Sequence, residues 1–412
     1  MKKLLSMALW KQILISIVLG LIFGFVAPVA AEKVSVLGKI FISLMQVLIV
    51  PLVFFSLLDG ICSLGDFKML RSIGLRTILM FVVTSFFAAV VGAIIAIILN
   101  PGVGVTLGEA AAETATYSYN FTETLLTWVP NNIVNHMAKG EIIPVIVFAI
   151  ILAMCLLSIG EKVPDLFKLI KQCNLAMFRM TEAIVRFSPI GIFALTAQMA
   201  PLFSSGAMLG SILKFVTADL LAVAGMFFVA YPLIMIVMGK ISPFQFYKQN
   251  SEVLLFAAAT ASSAASLPIA IKSAQQMGVS EKVYGFSLPL GSTANSNGAA
   301  IAQAVVAVFA FNIYGHDVTL VSVLQAVFLS LMLSMGTAGV KGANLVMSTV
   351  VLQSYGFPLE LIAVFGAIWP LIDWANTSIN VIGDLLCTTI VAKQVNMLDM
   401  NVFSSKKTKQ AL

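Results

Sequence analysis

The sequence predicts an all-α polytopic membrane protein with eight transmembrane helices and two re-entrant helical hairpins. The 412-residue chain has a mean hydropathy of +1.02 and 10% charged residues, whereas a soluble domain carries about a quarter. Apolar runs of about 20 residues, the length that crosses a bilayer as a helix, recur along the chain. Basic residues cluster in short loops, which is typical of the cytoplasmic loops of membrane proteins. The net charge of +6 therefore does not indicate nucleic acid binding.

Eight apolar runs are long enough for spanning helices. Lys68, Arg71 and Arg76 place the loop 64–76 in the cytoplasm, whereas the loop 100–138 carries only acidic charges and is predicted to be external. Both termini are then cytoplasmic, and residues 1–412 form one integral domain. The short loops favour a prokaryotic inner membrane. The predicted spans are 12–31, 40–61, 77–99, 141–160, 165–197, 209–238, 282–312 and 358–393.

The N-terminal segment has a second interpretation. "MKKLLSMALWKQILISIVLGLIFGFVAPVAA" has the basic start and apolar centre of a secretory signal peptide. The run that begins at Lys11 is, however, about 20 residues long and could span the membrane. We favour a first transmembrane helix. The four cysteines are scattered without a CxxC pair, which excludes a disulfide framework or cysteine metal site as the basis of the fold.

Two further apolar stretches, 252–275 and 319–353, differ from simple spans. Their centres, within "LLFAAATASSAASLPIAI" and "SMGTAGVKG", are rich in Ser, Gly and Ala, and the apolar arms are too short to cross separately. Ordinary spans with small residues for helix packing are the alternative. Each stretch precedes a helix that we expect to be broken at asparagines, in "GSTANSNG" and "LIDWANTSINVIGD". A hairpin followed by a broken helix thus occurs twice, and this repetition predicts the inverted repeat of a secondary transporter.

The segments "ASSAASLP", "MGVSEKVYGFSLPLGSTANSNGAA", "SMGTAGVKGA" and "NVIGDLLCTTIVAK" carry a family resemblance. The chain resembles the dicarboxylate/amino acid:cation symporter family, which has the glutamate-transporter-like fold. The resemblance implies sodium-coupled symport by a homotrimer among membrane lipids, with an elevator motion. It further implies a scaffold made mainly of spans 1, 2, 4 and 5. The transport part would consist mainly of spans 3 and 6 and residues 245–395.

The resemblance also implies sodium sites, because unwound backbone and an intramembrane carboxylate can hold a hard cation. An isolated buried Asp384 could be purely structural, but Asn380 lies four residues earlier on the same helical face. A third site is expected to be weak, because Phe81 and Asn297 stand where relatives have Tyr and Asp. Gln303 stands where some relatives have a proton-bearing Glu. The implied ligands are Gly291, Asn295, Asn380 and Asp384 in one site, Thr293, Ser296, Ser334, Met335 and Thr337 in a second, and Thr84, Ser85 and Asn297 in the weakened third.

The resemblance matches Asp373 to the partner of a substrate ammonium group. Asn376 replaces the arginine that binds a side-chain carboxylate in relatives, and an amide cannot neutralise a second carboxylate. The sequence therefore predicts a small neutral amino acid such as serine, threonine or alanine. The alternative is a sodium- or proton-coupled acidic amino acid or dicarboxylate symporter in which Lys341 binds the acidic group; a snorkelling lysine is the plainer interpretation of that residue. The implied substrate residues are Ser262, Ser263, Val340, Lys341, Gly342, Asp373, Asn376, Thr377 and Asn380.

Two functions of other classes deserve comparison. An intramembrane aspartyl protease could use Asp373 and Asp384, but eleven residues along one helix separate them by about 16 Å, too far for a shared proton. A passive channel is the other alternative, and two occluding hairpins favour a carrier over it. Uptake against a gradient in vesicles separates carrier from channel.

Overall fold

A computed structural model describes residues 7, 9–62, 67–105, 129–203, 206–337 and 342–404. Regular structure in these ranges is helical, apart from an isolated bridge between Val279 and Leu398. The predicted all-α class is confirmed. The helices are α1 Leu9–Val26, α2 Pro28–Cys62, α3 Phe67–Leu99, α4 Ile133–Lys139, α5 Ile142–Ser158, α6 Pro164–Phe203, α7 Ala207–Gly225, α8 Pro243–Gln249, α9 Ser251–Thr260, α10 Ser263–Gln276, α11 Glu281–Ala294, α12 Asn297–Ile313, α13 Leu320–Gly336, α14 Ala343–Ser354, α15 Ile362–Gln394 and α16 Met400–Ser404.

Six helical stretches in the described part of the chain are long and apolar enough to cross a membrane. The predicted first and fourth spans correspond to α1 and α5, which have 18 and 17 residues. These lengths lie at the lower limit of about 17 residues for a spanning helix. The six longer stretches are Pro28–Asp59, Ile73–Leu99, Pro164–Ala200, Ala207–Gly239, Glu281–Ile313 and Leu359–Gln394.

The first connection differs from the prediction. Spans at 12–31 and 40–61 implied a loop between them, but α1 ends at Val26 and α2 begins at Pro28, so residues 32–39 are helical. Proline is favoured at the first position of a helix, because its φ angle suits the helix and its missing N–H would lack a helical partner there. Backbone bonds from Ala27 N to Phe23 O and from Ala31 N to Ala27 O carry the chain through this junction.

Both predicted hairpin segments are pairs of short helices that pack against each other. Between α9 and α10, Ala261 takes a left-handed conformation with φ of 45°, and the side chain of Ser262 accepts a hydrogen bond from Ala265 N. Helices α13 and α14 form the second pair. Val340 and Lys341, at its tip, lie outside the described residues. A described turn thus joins the two helices of the first pair, and re-entrant hairpins stay a prediction for both segments.

One of the two predicted helix breaks is present. Asn295 and Ser296 have non-helical backbone angles and separate α11 from α12. The expected second break is wrong, because α15 is continuous from Ile362 to Gln394. Asn376 and Asn380 bond side chains or backbone on other helices. Their amides therefore stabilise contacts between helices where we expected them to interrupt their own helix.

The helices pack in two groups. Helices α1, α2, α5 and α6 pack on one another, and α3, α7, α12 and α15 form a second group with the two hairpins. Helix α12 lies at the centre of the second group and is buried along almost its whole length. The second hairpin joins the groups, because Ser56 Oγ on α2 donates a hydrogen bond to Gly336 O at 2.9 Å.

Helix α1 packs closely on α6. A Cβ atom added to Gly20 would lie 2.7 Å from Phe193 O, and one added to Gly24 would lie 2.2 Å from Ala197 O. Backbone approaches this close require glycine. The contact favours the interpretation of this segment as the first helix of the fold over that of a signal peptide.

We expect Gly24→Ala to lower the unfolding temperature of the detergent-solubilised protein, because overpacking against backbone costs about 1–3 kcal/mol. Gly210→Ala is the matched control, since a Cβ there meets nothing within 4 Å. The unfolding temperature of this control variant should equal or exceed that of the wild type. Equal temperatures for the two variants would show that α1 does not pack on α6 in this way.

Candidate functional site

The break between α11 and α12 places polar groups against a buried carboxylate. Asp384 on α15 is 4% exposed, and its Oδ1 accepts a hydrogen bond from Asn295 Nδ2 at 2.8 Å. Gly291 permits this approach, because a Cβ at that position would lie 2.6 Å from Asp384 Oδ1. None of the ion pairs in the described ranges includes Asp384. A buried charge without a counter-charge costs several kcal/mol, so this carboxylate requires a cation or a proton.

The first turn of α12 is held by α15. Gly298 N donates a hydrogen bond to Asn380 Oδ1 at 2.6 Å, which satisfies a backbone donor that the helix itself cannot pair. A Cβ on Gly298 would lie 2.3 Å from Asn376 O, so the two helices touch through backbone here. Asn380 therefore fixes the position of the chain break relative to Asp384, one turn further along α15.

The residues predicted for the weakened third ion site come together around the two asparagines of the break. Ser85 Oγ donates to Asn297 Oδ1 at 2.9 Å, and Thr84 Oγ1 lies 3.2 Å from Asn295 Oδ1. Both α3 residues are fully buried. These four side chains supply neutral oxygens and no carboxylate.

Tyr231 completes this cluster and is absent from the sequence prediction, which considered a tyrosine only at position 81. Its hydroxyl accepts from Asn297 Nδ2 at 2.7 Å and donates to Ile379 O at 3.0 Å. After Gly225, α7 continues through two π-helical turns, Met226–Ala230 and Met235–Gly239, on either side of Tyr231. Such turns are frequent at functional sites. The sequence signal is weak and consists of a Tyr-Pro pair inside an apolar helix.

The second predicted ion site lies where the break meets the end of α13. Ser296 Oγ donates to Thr337 O at 3.4 Å. Met335 and Ala294 line a small apolar pocket together with Phe81. The hydroxyls of Thr293, Ser334 and Thr337 bond carbonyls of their own helices, at Leu290, Leu331 and Leu333 respectively. The carbonyl of Thr337 is thus the group that the structure brings to Ser296.

The predicted substrate residues lie mainly on α15 and on the hairpins. Asp373 is half-buried, and Asn376, Thr377 and Asn380 are buried on the next two turns. The first hairpin, with Ser262 and Ser263 at its tip, packs on α15. Gly342 begins α14 with φ of 87° and contacts α6, since a Cβ there would lie 2.5 Å from Val185.

Asp219 on α7 is a second residue that the sequence prediction missed. Asn376 Nδ2 donates to Asp219 Oδ2 at 2.9 Å, and both side chains are fully buried. Asn376 Nδ2 also lies 3.3 Å from Ile372 O. A signal was available, because Asp219 is the one charged residue between Lys214 and Lys240. A charged residue inside an apolar span is a functional candidate by default.

The protease alternative does not fit this arrangement. Asp373 and Asp384 lie on one uninterrupted helix, about 16 Å apart by helical rise. Within the described residues, no group of three or more His, Cys, Asp or Glu side chains could hold a metal ion either. The site is built from carboxamides, hydroxyls, carbonyls and a few carboxylates.

Comparison with known proteins assigns the family. The model of the sodium:dicarboxylate symporter family matches residues 9–394. The proton/sodium-glutamate symport protein of Geobacillus stearothermophilus is 30% identical over 405 residues, covering 93% of each chain. The proton/glutamate-aspartate symporter of Escherichia coli (strain K12) is 30% identical over 411 residues, 94% of this chain and 93% of the relative. The C4-dicarboxylate transport protein of Anaeromyxobacter sp. (strain K) is 26% identical over 406 residues, 96% and 92% of the two chains.

These matches confirm the resemblance seen in the sequence and exclude the protease, because the family consists of symporters. The bacterial relatives and the six long apolar helices agree on a multi-pass membrane protein. The chain belongs to the sodium:dicarboxylate symporter family and is a cation-coupled membrane symporter.

Proposed function

We propose that this symporter carries an acidic amino acid together with sodium ions. Two of the relatives named above are symporters of glutamate or of glutamate and aspartate, and the third is a C4-dicarboxylate transport protein. Asp373 is the reason why we propose an amino acid and not a dicarboxylate without an amino group. It is half-buried on α15, one turn before the buried Asn376, and a carboxylate there pairs with a substrate ammonium group.

The predicted small neutral substrate receives no support from these relatives, and the acidic alternative does. The geometry of Asn376 adds a physical reason. An amide at this position could hydrogen-bond the hydroxyl or carboxamide of a neutral substrate, but its Nδ2 already contacts Asp219 Oδ2 and Ile372 O. Since an amide nitrogen has two donor hydrogens, both are engaged. Asn376 therefore has only its Oδ1 acceptor left to offer.

An acidic substrate needs a positive charge near its second carboxylate. Lys341 at the tip of the second hairpin is our candidate. A lysine ammonium can pair with a carboxylate as a point charge, with less directional demand than an arginine. Ser262, Ser263, Val340 and Gly342 are the proposed contacts of the α-carboxylate, and Thr377 and Asn380 line the same face of α15.

We assign the main sodium site to Asp384. The buried carboxylate has no positive partner in the described part of the chain, and it lies against Asn295 and Gly291 at the break. Gly291, Asn295 and Asn380 would supply the other ligands. A second ion would bind where Thr337 O meets Ser296, among Thr293, Ser334 and Met335. A third, among Thr84, Ser85 and Asn297, would bind weakly, because only neutral oxygens are present there.

The two packing groups support a division of labour. Helices α1, α2, α5 and α6 would form a scaffold and the trimer contacts. Helices α3 and α7 with residues 245–395 would form the part that moves as an elevator. The Ser56–Gly336 bond and the Gly342–Val185 contact join the two parts, and both would have to break during such a movement.

Replacing Asp384 by Asn should abolish most sodium-dependent uptake of aspartate into proteoliposomes. The amide keeps the shape of the side chain but removes the charge that offsets desolvation of the ion, so we expect a loss of at least about tenfold. Asp165→Asn is the matched control, since Asp165 is 92% exposed beside Lys168. Wild-type sodium dependence in a folded Asp384→Asn protein would disprove the assignment.

Replacing Lys341 by Ala should weaken aspartate binding by at least about tenfold, because the second substrate carboxylate loses its counter-charge. Binding of serine and alanine should change little. Affinities are compared in saturating sodium, with Lys248→Ala, on α8, as the control. If serine or alanine binds the wild type more tightly than every acidic amino acid, the neutral substrate is correct and our proposal is wrong.

A further inference from the structure

The contact between Asp219 and Asn376 is buried in an apolar environment. Both side chains are fully buried. One turn before Asp219, Phe215 stacks edge-on against Phe309 of α12, with ring centroids 5.3 Å apart, and also contacts Phe365 of α15 at 5.9 Å. An ionised carboxylate in such surroundings is strongly disfavoured unless a cation or several donors compensate it.

The observed partners do not compensate a full negative charge. Asp219 Oδ2 accepts the single bond from Asn376 Nδ2. Asp219 Oδ1 and Asn376 Oδ1 are both buried, and neither has a hydrogen-bond partner among the described residues. A buried polar atom without a partner lowers stability, because it has lost its hydrogen bonds to water. Two acceptors without donors on two neighbouring side chains indicate that a proton is missing from this pair.

The charged groups around Asp219 also favour a proton on its carboxylate. Helix α7 packs against α3, α6, α12 and α15, and no ion pair in the described ranges joins any of them to Asp219. Asp373, another carboxylate, lies on α15 one turn before Asn376, the hydrogen-bond partner of Asp219. Two nearby carboxylates in a poorly solvated site favour a proton on one of them.

We propose that Asp219 carries the proton that this symporter takes up with an acidic substrate. A proton on Oδ1 turns an orphaned acceptor into a donor, removes the charge of Asp219 and leaves Asp373 to pair with the substrate ammonium group. The reaction is protonation of the Asp219 carboxylate on the loading side and release of the same proton on the other side. This inference rests on the proposed acidic substrate and adds the residue that decides whether that substrate is accepted.

Gln303 does not supply a proton site in the second helix group. It is fully buried, its Nε2 donates to Asn344 O at 3.2 Å, and its Oε1 accepts from Ser348 Oγ at 3.4 Å. A carboxamide does not titrate. A proton that accompanies the substrate therefore needs another group in the second helix group, and Asp219 touches the substrate helix directly through Asn376.

Aspartate binding and proton uptake by the purified protein in saturating sodium test the proposal. In the wild type, measured from about pH 5.5 to about pH 9, affinity should be constant and proton uptake absent while Asp219 of the substrate-free protein keeps its proton. Above the pH at which the substrate-free protein loses that proton, affinity should fall by up to about tenfold per pH unit, and proton uptake should approach one per aspartate. Asp219→Asn, which is permanently neutral, should still bind aspartate with less than about twofold change over this range and without proton uptake. Asp165→Asn should behave as the wild type.

An Asp219→Glu variant keeps the test decisive if Asp219→Asn does not fold. It retains a titrating carboxyl in altered surroundings, so its proton uptake should persist with a shifted pH midpoint. Undiminished proton uptake in Asp219→Asn, or an unshifted midpoint in Asp219→Glu, would overturn the role of Asp219. Tight binding of lysine or arginine that Asp219→Asn abolishes would also overturn it, by showing that Asp219 is ionised. If wild-type protein binds no acidic amino acid at any pH, the proposed function fails instead.

Discussion

The buried carboxylate of Asp384 is the constraint on which the rest of the second helix group depends. It lies inside a bundle of apolar helices and accepts a hydrogen bond from an asparagine amide, and no ion pair among the described residues includes it. Gly291 must lack a side chain to leave room for it. Asn295 must leave the helix to reach it, and this separates α11 from α12. A single charge thereby accounts for both the glycine and the helix break.

The break in turn organises the surrounding helices. The first turn of α12 requires a partner for its N–H groups, and Asn380 of α15 supplies one at Gly298. Asn297, the first residue of α12, is held by Ser85 of α3 and Tyr231 of α7. Four helices therefore meet at one point through side-chain bonds. A movement that displaced any one of them would alter the oxygens available to an ion.

The sequence was sufficient to predict the helical class, the two pairs of short helices and the break at Asn295, because hydropathy and backbone chemistry are local properties. It was misleading at α15, where asparagines in "WANTSIN" resemble a break but bond other helices. It also missed Tyr231 and Asp219, whose roles depend on which helices become neighbours. The hydrogen bond to Asp219 also occupies the amide nitrogen of Asn376, which is then not available to donate to a substrate. The loop predicted between the first two spans failed because Pro28 can begin a helix directly.

Sodium-dependent stability of the purified, substrate-free protein tests the central claim most directly. A ligand that binds only the folded state raises stability in proportion to the logarithm of its concentration, by about 2.7 kcal/mol at a hundredfold excess over its Kd. The unfolding temperature should therefore rise steadily with sodium chloride and remain flat with choline chloride at equal ionic strength. The same rise in choline, or none in sodium at any pH, would contradict a cation site at Asp384.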